Sequence, residues 1–205
     1  MIVMQPVLEV ARSDGFDLWP VATMAPYGWL ALGGELTPAE IGTAVHCIVD
    51  YVAVDPGDEP AMPADPLDAF LHGLLTVDAP IAPGGLRVID DASDVTFVPG
   101  CCDGLEDWRD WRRLFSAGGT IGFGHPPTSP SAERVGDCIL LTVDAEQDGS
   151  PTIELPVAEL SRLLDAVERD LTDFYALVVE WAPRHLPGRE AAVSAAIARV
   201  LDLEG

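Results

Sequence analysis

Thiol and imidazole side chains supply the first candidates for chemistry in this sequence. Cys101 and Cys102 follow Pro99-Gly100 and precede a predicted helix, whose positive N-terminal end can lower a thiol pKa. A metal site would have to combine these thiols with Cys138 or His125, because the chain has no C-x-x-C or H-x-x-x-H spacing. The sequence therefore leaves open a thiol- or metal-dependent enzyme or sensor.

Two acidic residues at the same turn argue against a reactive thiol. Asp103 is the predicted cap of the helix and Glu106 its capping-box partner, and their negative charges raise the pKa of a neighbouring thiol. Free cysteine is also among the most buried residue types. We therefore interpret the cysteines as buried structural thiols, with a metal site or a nucleophile as the alternatives, and we predict no cofactor.

No other motif indicates an enzyme. Gly122-Phe123-Gly124 lacks the third glycine and the following helix of a dinucleotide-binding turn, and a Walker-type Gly-Lys cannot occur in a chain without lysine. His125 lies in a predicted loop over residues 124–136, with no base or nucleophile close in sequence. His46 and His72 fall within predicted helices, where a structural role is more common. We predict no catalytic residue.

Carboxylates are the second chemical signal. The chain has 34 acids, 11 arginines and no lysine, for a net charge of −23, and residues 13–86 contain 11 acids and no base. Such a field repels nucleic-acid phosphates and anionic membranes, so it favours a basic protein partner. The predicted contact residues lie in the loop 55–65 and in the start of the next helix: Asp55, Asp58, Glu59, Asp65 and Asp68. The alternative is that the charge only keeps the protein in solution.

The segment around the paired cysteines is the most distinctive string in the chain. It reads Phe97-Val98-Pro99-Gly100-Cys101-Cys102-Asp103-Gly104-Leu105-Glu106-Asp107-Trp108-Arg109-Asp110-Trp111. This Pro-Gly-Cys-Cys…Gly-Leu-Glu…Trp…Trp pattern resembles a family of uncharacterised bacterial proteins from high-GC genomes, over roughly residues 84–182. The resemblance implies a shared architecture but no activity and no catalytic residue. Small acidic proteins of this kind include immunity proteins, so it also implies a toxin or nuclease inhibitor as the sharpest form of the docking hypothesis.

Apolar periodicity and turn signals predict an α+β protein. Predicted helices cover residues 38–53, 66–75, 104–115, 156–181 and 189–203. Predicted strands cover residues 86–89, 95–98, 120–123, 138–143 and 152–155, with two or three short strands or loops in residues 1–35. We predict a single α+β domain over residues 1–205, with an acidic, helical N-terminal part at about 1–83 and a sheet and long-helix core at about 84–205.

The helix from Pro156 to about Trp181 is the element around which the other predicted elements are arranged. Its apolar residues recur every three or four positions: Val157, Leu160, Leu163, Leu164, Val167, Leu171, Phe174, Leu177, Val178 and Trp181. Pro156 suits a first helical turn, and Pro183 is predicted to end the helix. We expect this helix to cover a small, mostly antiparallel sheet formed by residues 86–98 and 138–155.

The N-terminal residues do not resemble a secretion signal. Residues 1–15 lack the basic region and the uninterrupted apolar run of a signal peptide, and no apolar run approaches the roughly 20 residues that span a bilayer. We therefore expect a cytoplasmic protein without a membrane span, in which the cysteines are reduced.

Overall fold

Groups of two or four consecutive strands are separated by helices along the chain. The computed structural model describes residues 1–52, 62–100, 104–124 and 128–203. The strands are β1 (Ile2–Glu9), β2 (Trp29–Ala31), β3 (Gly84–Asp90), β4 (Val95–Phe97), β5 (Thr120–Gly122), β6 (Ser131–Val135), β7 (Cys138–Thr142) and β8 (Thr152–Pro156). The helices are α1 (Pro38–Tyr51), α2 (Pro66–Thr76), a 3₁₀ helix (Leu105–Phe115), α3 (Val157–His185) and α4 (Glu190–Val200). The predicted α+β class is confirmed.

The described strands form two antiparallel sheets of four strands each. The first has the order β2-β1-β3-β4, and β1 pairs with β3 from Ile2 opposite Asp90 to Leu8 opposite Gly84. The second is the meander β5-β6-β7-β8. The expectation of one sheet from residues 86–98 and 138–155 was wrong, because β3 pairs with β1 and β7 pairs with β6.

Two strands have weak sequence signals. β1 contains Pro6, which has no N–H to donate in a central strand. The Pro6 carbonyl accepts a hydrogen bond from Leu32 N at 2.9 Å, so the main-chain groups of Pro6 point toward β2 and its ladder with β3 continues. β6 lies in the region predicted as a loop, and only Ala132 of its residues is buried. Its apolar pattern is therefore too weak to indicate a strand.

The long helix α3 packs against both sheets. Its buried stripe contains most of the predicted apolar residues: Leu160, Leu163, Leu164, Val167, Leu171, Phe174, Val178 and Trp181. α3 contacts β1 of the first sheet and β8 of the second, and also packs against α1 and α4. The prediction that this helix packs on a sheet is confirmed.

The predicted end of this helix was wrong. α3 continues through Pro183 to His185. Pro183 has no N–H to donate to the carbonyl of Val179, but Val179 is exposed on the surface, where water can replace the missing partner. Leu186 N donates to Ala182 O at 2.8 Å, so the helical hydrogen bonding resumes directly after the proline.

Local capping signals have mixed outcomes. At the start of α1, Thr37 Oγ1 accepts from Glu40 N at 3.3 Å and Glu40 Oε2 accepts from Thr37 N at 2.8 Å, so this predicted capping box is confirmed. At the 3₁₀ helix the N-cap is Gly104, without a side-chain cap hydrogen bond. The capping box predicted for Asp103 and Glu106 includes Asp103, which lies outside the described residues, so it stays a prediction. Glu106 accepts a hydrogen bond from Ala82 N at 3.0 Å.

One hydrophobic cluster contains residues from both sheets and from every described helix. Examples are Val88 and Phe97 in the first sheet and Ile139 and Leu155 in the second. Among the described residues, no helix combines the length and the apolar character needed to cross a bilayer.

Candidate functional site

Six of the predicted site residues lie outside the described part of the chain. They are the loop carboxylates Asp55, Asp58 and Glu59 and the candidate metal ligands Cys101, Cys102 and His125. What the sequence indicates about these six residues stays a prediction. The other three, Asp65, Asp68 and Cys138, have defined surroundings.

The carboxylates of Asp65 and Asp68 both have partners within the fold. Asp65 caps α2, and its Oδ1 accepts hydrogen bonds from Leu67 N and Asp68 N, both at 3.0 Å. Asp68 forms a bidentate ion pair with Arg189, with Nη2 to Oδ2 at 2.8 Å. The hydrogen bond from Arg189 lowers the pKa of Asp68. Asp68 therefore holds the start of α4 against the start of α2, and a partner would have to compete with Arg189 for it.

Cys47 and Cys138 are the two cysteines within the described residues. Cys138 is half-buried at the start of β7, opposite Pro156. Cys47 is fully buried in α1, where its sulfur accepts a hydrogen bond from Ala11 N at 3.3 Å and burial raises its pKa to about 11. No group of three or more His, Cys, Asp or Glu side chains in the described residues is arranged to hold a metal ion. Cys47 has the properties of a structural thiol.

The two histidines that the sequence predicted to lie in helices are both buried. His46 and His72 are 3% and 7% exposed. The His46 ring packs against Phe16 at 4.4 Å and stacks on Phe70 at 5.7 Å between ring centroids. Burial lowers the pKa of His46, and Asp50 opposes this shift. These surroundings favour the structural role predicted for the two histidines.

Carboxylates from distant parts of the chain meet in one large cavity. It has a volume of about 600 Å³ and lies between the loop after β2 and the exposed face of α3. Its acidic lining residues are Glu35, Glu40, Asp170 and Asp173. The loop can approach α3 closely because it carries glycine: a Cβ on Gly34 would lie 3.2 Å from the Cβ of Asp173. We call this cavity the acidic cleft.

The carboxylates of the acidic cleft differ in their surroundings. Glu40 accepts hydrogen bonds from Thr37 Oγ1 and Thr37 N at 2.7 and 2.8 Å, which lower its pKa. Burial and then the charge of Asp173 raise the pKa of Asp170, while Arg169 opposes the rise. Asp170 and Asp173 are three residues apart on one helix, a spacing at which like charges repel. A cation that enters the cleft would remove this repulsion.

A smaller cavity next to Cys47 carries exposed aromatic residues. Its volume is about 170 Å³, and Glu9, Tyr27, Asp50 and Tyr51 are among the residues that line it. Tyr27 is 64% exposed with φ of 63°, and Tyr51 is 49% exposed. Exposed tyrosines beside carboxylates suit a protein-binding surface, and Tyr51 lies four residues before Asp55, where the predicted acidic loop begins.

Sequence reasoning missed the acidic cleft, although it identified the separate parts. Glu35 and Glu40 belong to the stretch without a base, and Asp170 and Asp173 fall on the polar face of the predicted long helix. Their meeting depends on α3 packing across β1, and a strand interrupted by Pro6 does not indicate that arrangement. No spacing in the sequence could have shown it.

Comparison with known proteins identifies no relative. No family model, no curated protein and no solved structure matches the chain. The resemblance carried by the Pro-Gly-Cys-Cys segment therefore stays a prediction, and the cavities and charges of this chain carry the functional interpretation.

Proposed function

We propose that this protein binds a basic protein partner in the cytoplasm and that the acidic cleft receives a lysine or arginine side chain of that partner. The lining of the cleft carries the proposal, because four carboxylates and no basic residue of the described chain line it. The sharpest form of the proposal is an immunity-type inhibitor of a toxin or nuclease domain. A nuclease suits this role because proteins bind nucleic-acid phosphates with clustered Lys and Arg.

The electrostatics of the cleft support capture of a cation. Asp170 is half-buried, so its attraction for a cation is less screened than that of an exposed carboxylate. Its raised pKa indicates that the folded protein disfavours the ionised form when no counter-charge is present. A partner cation would offset that cost. The volume of about 600 Å³ leaves room for a lysine or arginine side chain.

The charge of the whole chain supports fast encounter with such a partner. A net charge of −23 creates a field that attracts basic proteins from a distance. Complementary charge of this kind raises the association rate and selects against wrong partners more than it adds affinity. The stretch 13–86 gives this field a direction, since it contains 11 acids and no base.

A charge-matched pair of variants tests the role of the cleft. The partner is captured from the native host with the full chain, and its affinity is then measured with purified proteins at low and high salt. Asp170→Asn combined with Asp173→Asn should weaken binding by about tenfold or more and reduce its salt dependence. The control, Asp148→Asn with Glu154→Gln, removes two exposed charges from the second sheet. Equal affinity of the two double variants would contradict the proposal.

A further inference from the structure

A second cavity shares Leu36 with the acidic cleft but has different chemistry. It has a volume of about 240 Å³ and lies between the first turns of α1 and the last turns of α3. Leu36, Ile41 and Leu177 supply apolar lining, and Trp181, Arg184 and His185 supply polar groups. We call this cavity the Trp181 pocket, after its most buried polar side chain.

Trp181 has a buried N–H that lacks an acceptor. The residue is 5% exposed, and its Nε1 has no hydrogen-bond partner among the described residues. The ring is held in place by an edge contact with Trp19 at 5.7 Å and by stacking with His185 at 4.5 Å between centroids. Trp19 is itself fixed by its hydrogen bond to Gly42 O at 2.8 Å. Because Nε1 itself has almost no exposed surface, Trp181 forms a rigid wall of the cavity through its other atoms, and a ligand cannot reach this N–H.

Arg184 supplies positive charge at the same cavity. It is exposed and forms no ion pair within the described residues, whereas Arg109, Arg162 and Arg189 each bind a carboxylate. Glu180 also lines the cavity, one turn before Arg184, at a spacing that favours an acid before a base. Its negative charge therefore competes with an anionic ligand for Arg184.

We propose that the Trp181 pocket binds a small aromatic carboxylic acid. The carboxylate would pair with Arg184, and the ring would pack against Leu36, Ile41 and Leu177. Guanidinium groups recognise carboxylates through paired N–H donors, which suits an oxygen-bearing head group. The volume of about 240 Å³ is just below the roughly 300–1,000 Å³ of pockets for larger ligands, which limits the ligand to about one or two rings.

Two probes of the same shape test this proposal: 2-naphthoate and its neutral counterpart 2-naphthamide. Binding to the full chain is measured by calorimetry and by tryptophan fluorescence. 2-Naphthoate should bind at least tenfold more tightly than 2-naphthamide. Arg184→Gln should abolish this preference, and Arg112→Gln, on the exposed side of the 3₁₀ helix, should preserve it. Glu180→Gln should strengthen 2-naphthoate binding by removing the competing carboxylate.

A second variant separates the apolar lining from the charge. Leu177→Gln places a polar group on the half-buried lining, so both probes should bind several-fold more weakly with their ratio kept, while circular dichroism checks the fold. If this variant fails to fold, the Arg184→Gln and Glu180→Gln results still decide the matter, because both residues are exposed. No binding of 2-naphthoate at millimolar concentration, or equal affinity for the two probes, would overturn the proposal.

Discussion

The acidic cleft and the Trp181 pocket share Leu36 and involve the same two helices, yet they have opposite chemistry. Four carboxylates line the cleft, whereas the pocket is lined by apolar side chains, Glu180 and Arg184, which has no ion pair among the described residues. Asp170 and Asp173 lie at the middle of α3, and Trp181 and Arg184 lie near its end. The net charge of −23 therefore describes the electric field at a distance and does not determine the chemistry of an individual site.

The two regions also differ in what a ligand would contribute. In the cleft a cation relieves repulsion between partly solvated carboxylates, so the gain depends on salt. In the pocket an apolar ring leaves water and a carboxylate pairs with Arg184, so the gain depends on fit as well as on ionic strength. Substitutions at different positions along α3 can therefore test the two regions separately.

The largest effect is expected for Leu171, because both regions depend on α3. Its side chain is fully buried and points about 100° around the helix from that of its sequence neighbour, the half-buried Asp170. Leu171→Ala should lower the free energy of unfolding by about 2–5 kcal/mol, as truncation of a buried leucine does. Arg169→Ala on the exposed face should cost less than about 1 kcal/mol. Denaturant unfolding checks both, and equally small effects would show that α3 is not a core element.

The loop carboxylates should affect the rate of association and not the contacts of the cleft. Replacing Asp55, Asp58 and Glu59 by Asn and Gln removes three negative charges from the predicted acidic loop. Association with the partner should slow by roughly threefold to tenfold at low salt, with dissociation unchanged. The cleft variants should show the reverse pattern. Stopped-flow mixing measures both rates, and an unchanged association rate at low salt would remove the steering role.

The aromatic cluster behind the Trp181 pocket should make stability depend on pH. Phe16 contacts both His46 and Trp19, and Trp19 contacts Trp181. Burial lowers the pKa of His46 below its ordinary value of 6.5, so the unfolded chain binds the proton more readily than the folded chain. The stability is complete above pH 6.5 and is lost as the pH falls toward the folded pKa.

A matched variant isolates this histidine from the other titrating groups. Between about pH 7.5 and about pH 5, the free energy of unfolding should fall less for His46→Leu than for the wild type. These two pH values lie on the two sides of the ordinary histidine pKa. Urea unfolding at several pH values provides the measurement. Parallel pH profiles for the two proteins would mean that His46 does not contribute to the dependence.

The smallest expected effect concerns the stability cost of the cleft itself. The raised pKa of Asp170 means that its ionised form destabilises the fold, and this cost appears as the pH rises above the ordinary value of 3.8. Asp170→Asn should therefore raise the stability at pH 7 by about 0.2–0.5 kcal/mol, the size of a like-charge pair on a helix. The same change should weaken partner binding. A loss of more than about 1 kcal/mol would show that Asp170 has a structural role instead.

Elements with local signals could be predicted from the sequence. The Thr37-Pro38-Ala39-Glu40 start of α1 forms the expected capping box, because all its partners lie within one turn. The stripe of α3 could be predicted because its period depends only on the helix itself. β1 and β6 could not be identified in the same way. Pro6 interrupts the one, and in the other only Ala132 is buried, so their pairing depends on distant strands.

The two candidate sites could not be predicted, since each needs contacts between distant residues. Glu35 and Asp173 are far apart in sequence and come together only when the loop after β2 packs on α3. The end of α3 was also mispredicted at Pro183, and the extra residues place Arg184 and His185 at the Trp181 pocket. A proline near a helix end leaves the choice of stopping point to tertiary packing.

The pKa of Asp170 in the free protein and in the complex tests the central claim most directly. A ¹³C NMR titration of the Asp170 carboxyl carbon measures it, with Asp148 in the β7–β8 turn as an internal reference. We expect the pKa of Asp170 to lie above the ordinary value of 3.8 in the free protein and to fall below it when the partner places a cation in the cleft. The Asp148 carboxyl should not change on binding. An Asp170 pKa that is unchanged by the bound partner would contradict the claim that the acidic cleft is the docking site.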